Sequence, residues 1–377
     1  MLLDCQTNKY PMHLYNLPSQ TKMSGFYVVF KARCLEDNVE ERGLTHLLEH
    51  LICRQFQPLM SAFSQYSIDF NAITTDDYVV FYLAGLDDYV NRYKEDFYRR
   101  LTSQLEIEEE EVKAEKAVVL QEYNSFFALP SSAIRANGLR KHFNYFGFIG
   151  QRQSIENATI ETLQSLYYRR FAEPYMIINV SKTSDFHIDN PTAGGLTVPS
   201  VPLSYVDESG AASESVRNND VIMIALKEVI PNEVLPQTQL LNHLLCGDLT
   251  SPLFHRLRAE RSLCYSASLW DNVIGNQHIP IFKTEAEKRN RELVIDNFSE
   301  IINHFERYIT KEMYSQAIEH FLIKREMQRI SRHNNITDLF YPNLMREGML
   351  ESLTYESVIE HGMKYYADVE HTFVVYE

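Results

Sequence analysis

Residues 43–51 of this chain read GLTHLLEHL. The spacing of His46, Glu49 and His50 in this stretch is the strongest indication of the fold and function. On an α-helix, positions four apart lie about 40° apart around the axis, so His46 and His50 share one face. Glu49 lies about 60° from His46 on the other side, where it addresses the same point. Two imidazoles beside a carboxylate can form a zinc site with a built-in base. The alternative is two solvated or core histidines on an amphipathic helix.

A catalytic zinc site needs a third protein ligand, and a second helix offers two candidates. Residues 105–126 contain no Gly or Pro and include the acidic run 108–111, which suits the positive end of a helix dipole. On this predicted helix, Glu115 and Glu122 are seven positions apart and share a face. One of them could ligate the metal while the other supports a ligand. The alternative for both is a solvated acidic face.

The pattern of segments predicts an α+β fold of two similar domains, each a mostly antiparallel sheet packed with helices. Residues 26–30 and 78–82 are β-branched and aromatic and predict strands, and residues 221–226 and 372–376 do the same in the second half. Between the halves, residues 191–216 are rich in Pro and Ser and predict a linker. We therefore predict an N-terminal domain over 1–190 and a C-terminal domain of similar plan over 217–377.

Composition excludes several classes of function. The 377 residues carry a formal net charge of −15, which argues against nucleic acid as a partner and is compatible with a basic peptide. No apolar stretch is long enough to predict a membrane span, and the N-terminus does not have the pattern of a secretory signal. Five scattered cysteines predict reduced thiols in a cytoplasmic protein.

Four separated pieces of the chain resemble, in order, the conserved segments of a known family. Residues 43–51 are similar to its signature helix, and residues 70–78, FNAITTDDY, to its N-A-x-T strand edge. Residues 115–122 are similar to its downstream helix, and residues 251–265, SPLFHRLRAERSLCY, to its S-x-L-F-x-x-L-R-x-x-x-x-L-x-Y segment. On these residues the chain resembles the zinc peptidases of the pitrilysin, insulin-degrading enzyme and mitochondrial processing peptidase family, which carry the inverzincin pattern H-x-x-E-H.

The resemblance assigns a role to each residue of the zinc motif. It implies that His46, His50 and Glu122 bind one zinc ion per chain. It further implies that Glu49 is the general base toward the attacking water and that Glu115 supports the site.

Four further residues are implied to bind substrate. The resemblance places Asn71 and Ala72 on an edge strand that pairs with the substrate backbone, as an unpaired strand edge can. It implies that Arg258 and Tyr265 reach the substrate and the tetrahedral intermediate, where a cation and a phenol stabilise negative charge. Ser262 stands where relatives often carry Gly, and it would be strained if the backbone there needs a positive φ.

The resemblance implies a zinc-dependent endopeptidase that cleaves unfolded peptides, or leader and presequence segments, inside a chamber of two facing half-shells. A chain of this length supplies one half-shell, so a second subunit is expected, either a second copy or a related inactive partner. Two alternatives stay open: a non-catalytic structural or assembly subunit, and a peptide-binding half-shell active only within a partner complex. Cys53 and Cys264 are interpreted as packing residues, and the alternative is a redox-sensitive thiol near the zinc.

Overall fold

The protein is described by a computed structural model that covers residues 12–19, 21–188, 219–226, 228–330, 348–367 and 371–376. Within these residues the chain forms two compact units. The first comprises residues 12–126 and 146–188, and the second comprises 127–145 and the described residues from 219 onward. Each unit is a sheet packed with helices, which confirms the predicted α+β class. The predicted linker over 191–216, and with it the predicted domain boundaries at 190 and 217, lie outside the described residues.

The sheet of the first unit has five strands in the order β1-β5-β2-β4-β3. Its strands are β1 His13–Pro18, β2 Met23–Lys31, β3 Asp69–Thr74, β4 Tyr78–Leu86 and β5 Met176–Ser181. Only the β1–β5 pair is parallel. Central strand β2 is buried along nearly its whole length, which explains its continuous apolar run. Strand β3 lies at one edge of this sheet, with β4 on its inner side.

Six helices complete the first unit. They are α1 Leu44–Arg54, α2 Met60–Gln65, α3 Asp87–Thr102, α4 Glu109–Ala128, α6 Arg152–Asn157 and α7 Ile160–Arg170. The long helix predicted over 105–126 is confirmed as α4, although it begins four residues later than predicted. Leu105 is buried outside the helix, and the acidic residues Glu109, Glu110 and Glu111 form the first turn.

The second unit is built on an antiparallel sheet in the order β10-β6-β9-β7, with β8 also paired to β9. Its strands are β6 Asn219–Leu226, β7 Ile230–Pro231, β8 Cys264–Ile274, β9 Gln277–Glu287 and β10 His371–Tyr376. Its helices are α5 Pro130–Phe143, α8 Leu235–Cys246, α9 Pro252–Phe254, α10 Arg291–Asn303, α11 Lys311–Ile330, α12 Met349–Ser352 and α13 Tyr355–Tyr365. The strands predicted over 221–226 and 372–376 are confirmed as β6 and β10.

One helix departs from the order of the chain. Helix α5 follows directly on α4, but it packs against β6 and β10 and so belongs to the second unit. The chain then returns to the first unit at Phe146. Among the described residues, no helix is both long enough and apolar enough to cross a membrane.

The second unit contains a polar chain that links α13, α8 and β8. The Tyr366 hydroxyl, just beyond α13, donates to Asn242 Oδ1 at 2.6 Å, and Asn242 Nδ2 donates to Asp271 Oδ1 at 3.0 Å. Burial raises the pKa of Asp271 to about 7, against an opposing effect of the Asn242 hydrogen bond. The folded protein therefore retains a proton on Asp271 that the unfolded chain loses at a lower pH.

We expect Asp271→Asn to change how stability depends on pH. Because the pKa of Asp271 is higher in the folded state, its contribution to stability is lost as pH rises from about 4 to about 7. The side chain at 271 is neutral at every pH in the variant. The unfolding free energy of the variant relative to that of the wild type should therefore increase, by a few kcal/mol at most, as pH rises over this range. Denaturant unfolding from pH 4 to pH 8 measures the difference. Asp296→Asn, an exposed change of the same charge on α10, is the control, and parallel wild-type and Asp271→Asn curves would contradict the expectation.

Candidate metal centre

The first turn of α1 is fixed by two glycines in close contact. Gly43, the residue before α1, has φ 91°, and Gly150 has φ 65°. A Cβ atom on Gly150 would lie 2.2 Å from the Gly43 nitrogen, so no other residue fits there without a shift of the backbone. This contact sets where α1 begins, and therefore where the motif over 46–50 lies.

A buried guanidinium holds the same end of α1. Arg170, the last residue of α7, donates to the carbonyl of Ala32 and to the hydroxyl of Thr45, and it pairs with Asp37. The side chains of Arg170 and Asp37 are 3% and 1% exposed, so this is an ion pair within the core. Breaking a buried pair of this kind is strongly destabilising. The group ties Thr45, and with it the neighbouring His46, to the end of β2.

The side chains of His46, His50 and Glu122 meet where α4 crosses α1. The two imidazole rings have centroids 4.9 Å apart at an interplanar angle of 76°. Glu122 Oε2 lies 3.4 Å from His46 Nε2 and 3.6 Å from His50 Nε2. One ligand atom from each of the three residues lies within 4.8 Å of the others, and no other such group of His, Cys, Asp or Glu occurs among the described residues.

The two distances from Glu122 to the imidazole nitrogens fit a zinc ion shared by these side chains. Tetrahedral coordination with bonds of about 2.0–2.1 Å separates the ligand atoms by about 3.3–3.5 Å. Burial, with a smaller effect of His50, lowers the pKa of His46 to about 4, so this imidazole is neutral at pH 7 and can ligate a metal. Separations of 3.4 and 3.6 Å are long for direct hydrogen bonds, whereas a cation between the atoms suits them. Two nitrogens and one carboxylate leave the fourth position of a zinc open.

Glu115 contacts Nδ1 of His50, whereas the other ring nitrogen, Nε2, lies nearest Glu122 of the cluster. The Oε2 atom of Glu115 lies 3.2 Å from His50 Nδ1, and its Oε1 atom accepts a hydrogen bond from Arg54 Nη1 at 2.7 Å. Arg54 Nε donates to Glu111 at 3.1 Å. A carboxylate that accepts the Nδ1 proton fixes the tautomer and leaves Nε2 for a metal. Sequence reasoning missed Arg54, although its i,i+4 spacing from His50 and the same spacing between Glu111 and Glu115 are visible in the sequence.

Glu49 lies on the buried side of α1, beside the cluster. Its side chain accepts a hydrogen bond from Thr74 Oγ1 at 2.8 Å, and Cys53 Sγ lies 3.9 Å from its other oxygen. Burial raises the pKa of Glu49, which moves the carboxylate toward the range of a general base. Burial also raises the pKa of the Cys53 thiol, followed by the effect of Glu49. A thiol kept neutral is unreactive, which favours the packing interpretation of Cys53.

The two residues expected to pair with substrate lie on β3. Asn71 and Ala72 occupy the middle of this edge strand, and the Ala72 N–H donates to the Asn71 carboxamide at 2.9 Å. Both belong to the same unit as the histidine cluster, and α1 packs directly on β3.

Arg258 and Tyr265 meet within the second unit. Arg258 lies in a π-helical turn, His255–Glu260, and its guanidinium carbon is 4.8 Å from the centre of the Tyr265 ring. Tyr265 is the second residue of β8 and is 80% exposed. Between them, Ser262 has φ 51°, the left-handed conformation that was expected to strain a serine.

Comparison with protein families identifies the class. Residues 15–145 match the insulinase family, peptidase family M16, and residues 211–321 match the M16 inactive domain. The chain belongs to peptidase family M16, whose two domain models match it in order. The resemblance stated from the sequence is therefore confirmed.

Individual relatives are distant in sequence. The chain is 22% identical over 247 residues to a Bacillus subtilis protein named uncharacterized zinc protease YmxG, a match that spans 60% of this chain and 59% of that one. A protease from Helicobacter pylori superposes with a TM-score of 0.76 at 14% identity, covering 97% of this chain and 96% of that one. A chain of complex III from Candida albicans superposes with a TM-score of 0.75 at 11% identity, covering 96% and 93%. At these identities the solved structures support the fold alone.

We expect the purified protein to hold about one zinc per chain, and His50→Ala or Glu122→Ala to abolish tight binding, because each removes one of three protein ligands. Metal analysis after dialysis against a buffer that contains a metal chelator measures the number of zinc ions bound per chain. His320→Ala and Glu110→Ala, exposed changes of the same type on α11 and α4, should retain the wild-type content. Stoichiometric zinc in folded His50→Ala would contradict the assigned ligand set.

Proposed function

We propose that this protein is a zinc-dependent endopeptidase. The observation that carries the proposal is the convergence of His46, His50 and Glu122 ligand atoms within 4.8 Å, with the buried carboxylate of Glu49 beside them. A bound zinc ion would supply a Lewis acid that polarises the scissile carbonyl and makes water a stronger acid. All three proposed ligands and the proposed base are present in this chain. Their presence favours a peptidase over a non-catalytic structural or assembly subunit.

The chain's own residues divide the work of hydrolysis. Glu49 accepts a proton from the attacking water and returns it to the leaving amine, since its burial beside the ligands gives it reach and basicity. Glu115 keeps His50 in the tautomer that leaves Nε2 as the ligand atom. The edge strand β3 binds an extended peptide through its main chain, so recognition depends little on side chains.

The substrate class follows from this mode of binding and from charge. Pairing with an edge strand requires an extended backbone, so we propose unfolded peptides, including leader or presequence segments, as substrates. The net charge of −15 favours peptides with basic residues. A cytoplasmic location stays a prediction from the sequence.

Glu49→Gln tests the proposal most simply. Because Glu49 transfers a proton and does not ligate, the variant should retain zinc while peptide turnover falls by at least about 10²–10⁴-fold. Cleavage of a quenched-fluorescence peptide library, normalised to metal content, measures this, with Glu110→Gln on α4 as the matched control. If Glu49→Gln lost its zinc but kept its activity per bound metal, the roles of Glu49 and Glu122 would have to be exchanged. A zinc-loaded wild type with no turnover would favour the structural or assembly subunit.

We further propose that the active form contains a second chain. The resemblance to the family implies a chamber of two facing half-shells, and this chain carries both the zinc motif and the Arg258–Tyr265 pair. The simplest assembly is therefore a homodimer in which Arg258 and Tyr265 of one copy stabilise charge at the other copy's zinc site. A facing half-shell would also exclude water and strengthen each electrostatic contact with the transition state.

Mixing two inactive chains tests the shared site. Glu49→Gln and Arg258→Ala should each be inactive alone, and their mixture should recover part of the activity, because a hybrid dimer contains one intact composite site. Sizing and zinc content confirm that both chains fold and exchange subunits. Arg261→Ala, an exposed neighbour, should be active without mixing. Hybrid dimers that form without recovery would show that Arg258 acts within its own chain or that the partner is a different protein.

A further inference from the structure

The buried hydrogen bond between Thr74 and Glu49 joins two elements of the site. The Thr74 hydroxyl lies 2.8 Å from Glu49 Oε2, and each residue is 8% exposed. A hydrogen bond to a carboxylate is stronger than one between neutral groups, and burial removes competing water. The contact links residues 25 positions apart, one on β3 and one on α1.

The alternation of β3 explains why this hydroxyl points inward. Along the strand, Phe70, Ala72 and Thr74 are the more buried residues, whereas Asn71 and Ile73 are exposed. Thr74 therefore extends from the inner face of the strand whose outer edge is proposed to bind the peptide. The neighbouring Thr75 does not contact Glu49 in this way. Its hydroxyl forms hydrogen bonds with the backbone carbonyl and N–H of Tyr78 in the turn to β4.

The two oxygens of Glu49 have unequal partners. Thr74 holds Oε2 at 2.8 Å, whereas Oε1 faces the Cys53 thiol at 3.9 Å. A thiol is a weak donor and gives way to water more readily than a hydroxyl does. Oε2 is thus the more firmly held of the two oxygens.

We propose that Thr74 is the positioning residue for Glu49: its hydroxyl fixes the base at a set distance from β3, and so from a peptide paired with that strand. This inference rests on the proposed peptidase function. It assigns Thr74 a part in turnover without contact with the substrate, because its hydrogen bond holds the helix that carries the base in register with the strand proposed to bind the peptide.

Substitutions at 74 separate this role from general packing. Thr74→Val keeps the shape but removes the hydroxyl, and we expect kcat to fall by about 10- to 100-fold with KM and zinc content nearly unchanged. Thr74→Ser keeps the hydroxyl and should retain most of kcat. Thr75→Val removes a hydroxyl one residue away and should leave kcat near the wild-type value. If Thr74→Val does not fold, Thr74→Ala is measured in its place with the same expectations.

A second measurement needs no activity. In metal-free protein, Thr74→Val should lower the denaturant midpoint of unfolding in the wild-type background but lower it less in a Glu49→Ala background, because the acceptor is then absent. Equal shifts in both backgrounds would overturn the contact. A Thr74→Val enzyme with wild-type kcat, or a Thr74→Ser enzyme as impaired as Thr74→Val, would overturn the positioning role. An inactive wild type would instead overturn the proposed function, and this inference with it.

Discussion

The contact between α1 and α4 is the constraint on which the metal centre depends. Glu122 lies 72 positions after His50, and it reaches the two imidazoles only because these helices cross at a fixed register. That register is held by hydrogen bonds from His50 and Arg54 to Glu115, and from Arg54 to Glu111. The same bonds orient the His50 ring, so one network both aligns the helices and leaves Nε2 as the nitrogen proposed to bind a metal. Loss of this alignment would leave two histidines without a third ligand.

The buried side of α1, beside the histidine cluster, holds the carboxylate of Glu49. Its leucines pack in the core of the first unit, and Glu49 extends into the same buried region. A buried carboxylate is costly unless it accepts hydrogen bonds, and Thr74 meets that need from strand β3. The proposed base is therefore tied to the proposed peptide-binding strand by the same bond that makes its burial tolerable. One helix thus carries the two histidines and, next to them, the proposed base that Thr74 supports.

Much of this site could be predicted because helical periodicity is local. The positions of His46, Glu49 and His50 follow from a single turn of α1, and the long helix α4 follows from its composition. Arg54 and Thr74 could not be assigned in this way, because their partners depend on how α1 meets α4 and β3. The placement of α5 in the second unit was also beyond the sequence, since it is a matter of topology and not of local pattern. The expectation for Ser262 came from the family resemblance, which predicts strain if the backbone there has a positive φ. The structure has a positive φ at this serine.

The central claim is that two imidazoles and one carboxylate of the first unit hold zinc beside an unligated Glu49. X-ray absorption spectroscopy at the zinc edge of the loaded protein tests this directly. We predict two imidazole nitrogens at about 2.0–2.1 Å, with oxygen completing the shell and no sulfur. The spectrum should keep both imidazoles in Glu49→Gln and in His320→Ala, an exposed change on α11. A sulfur shell near about 2.3 Å, or a shell made of oxygen alone, would contradict the assignment.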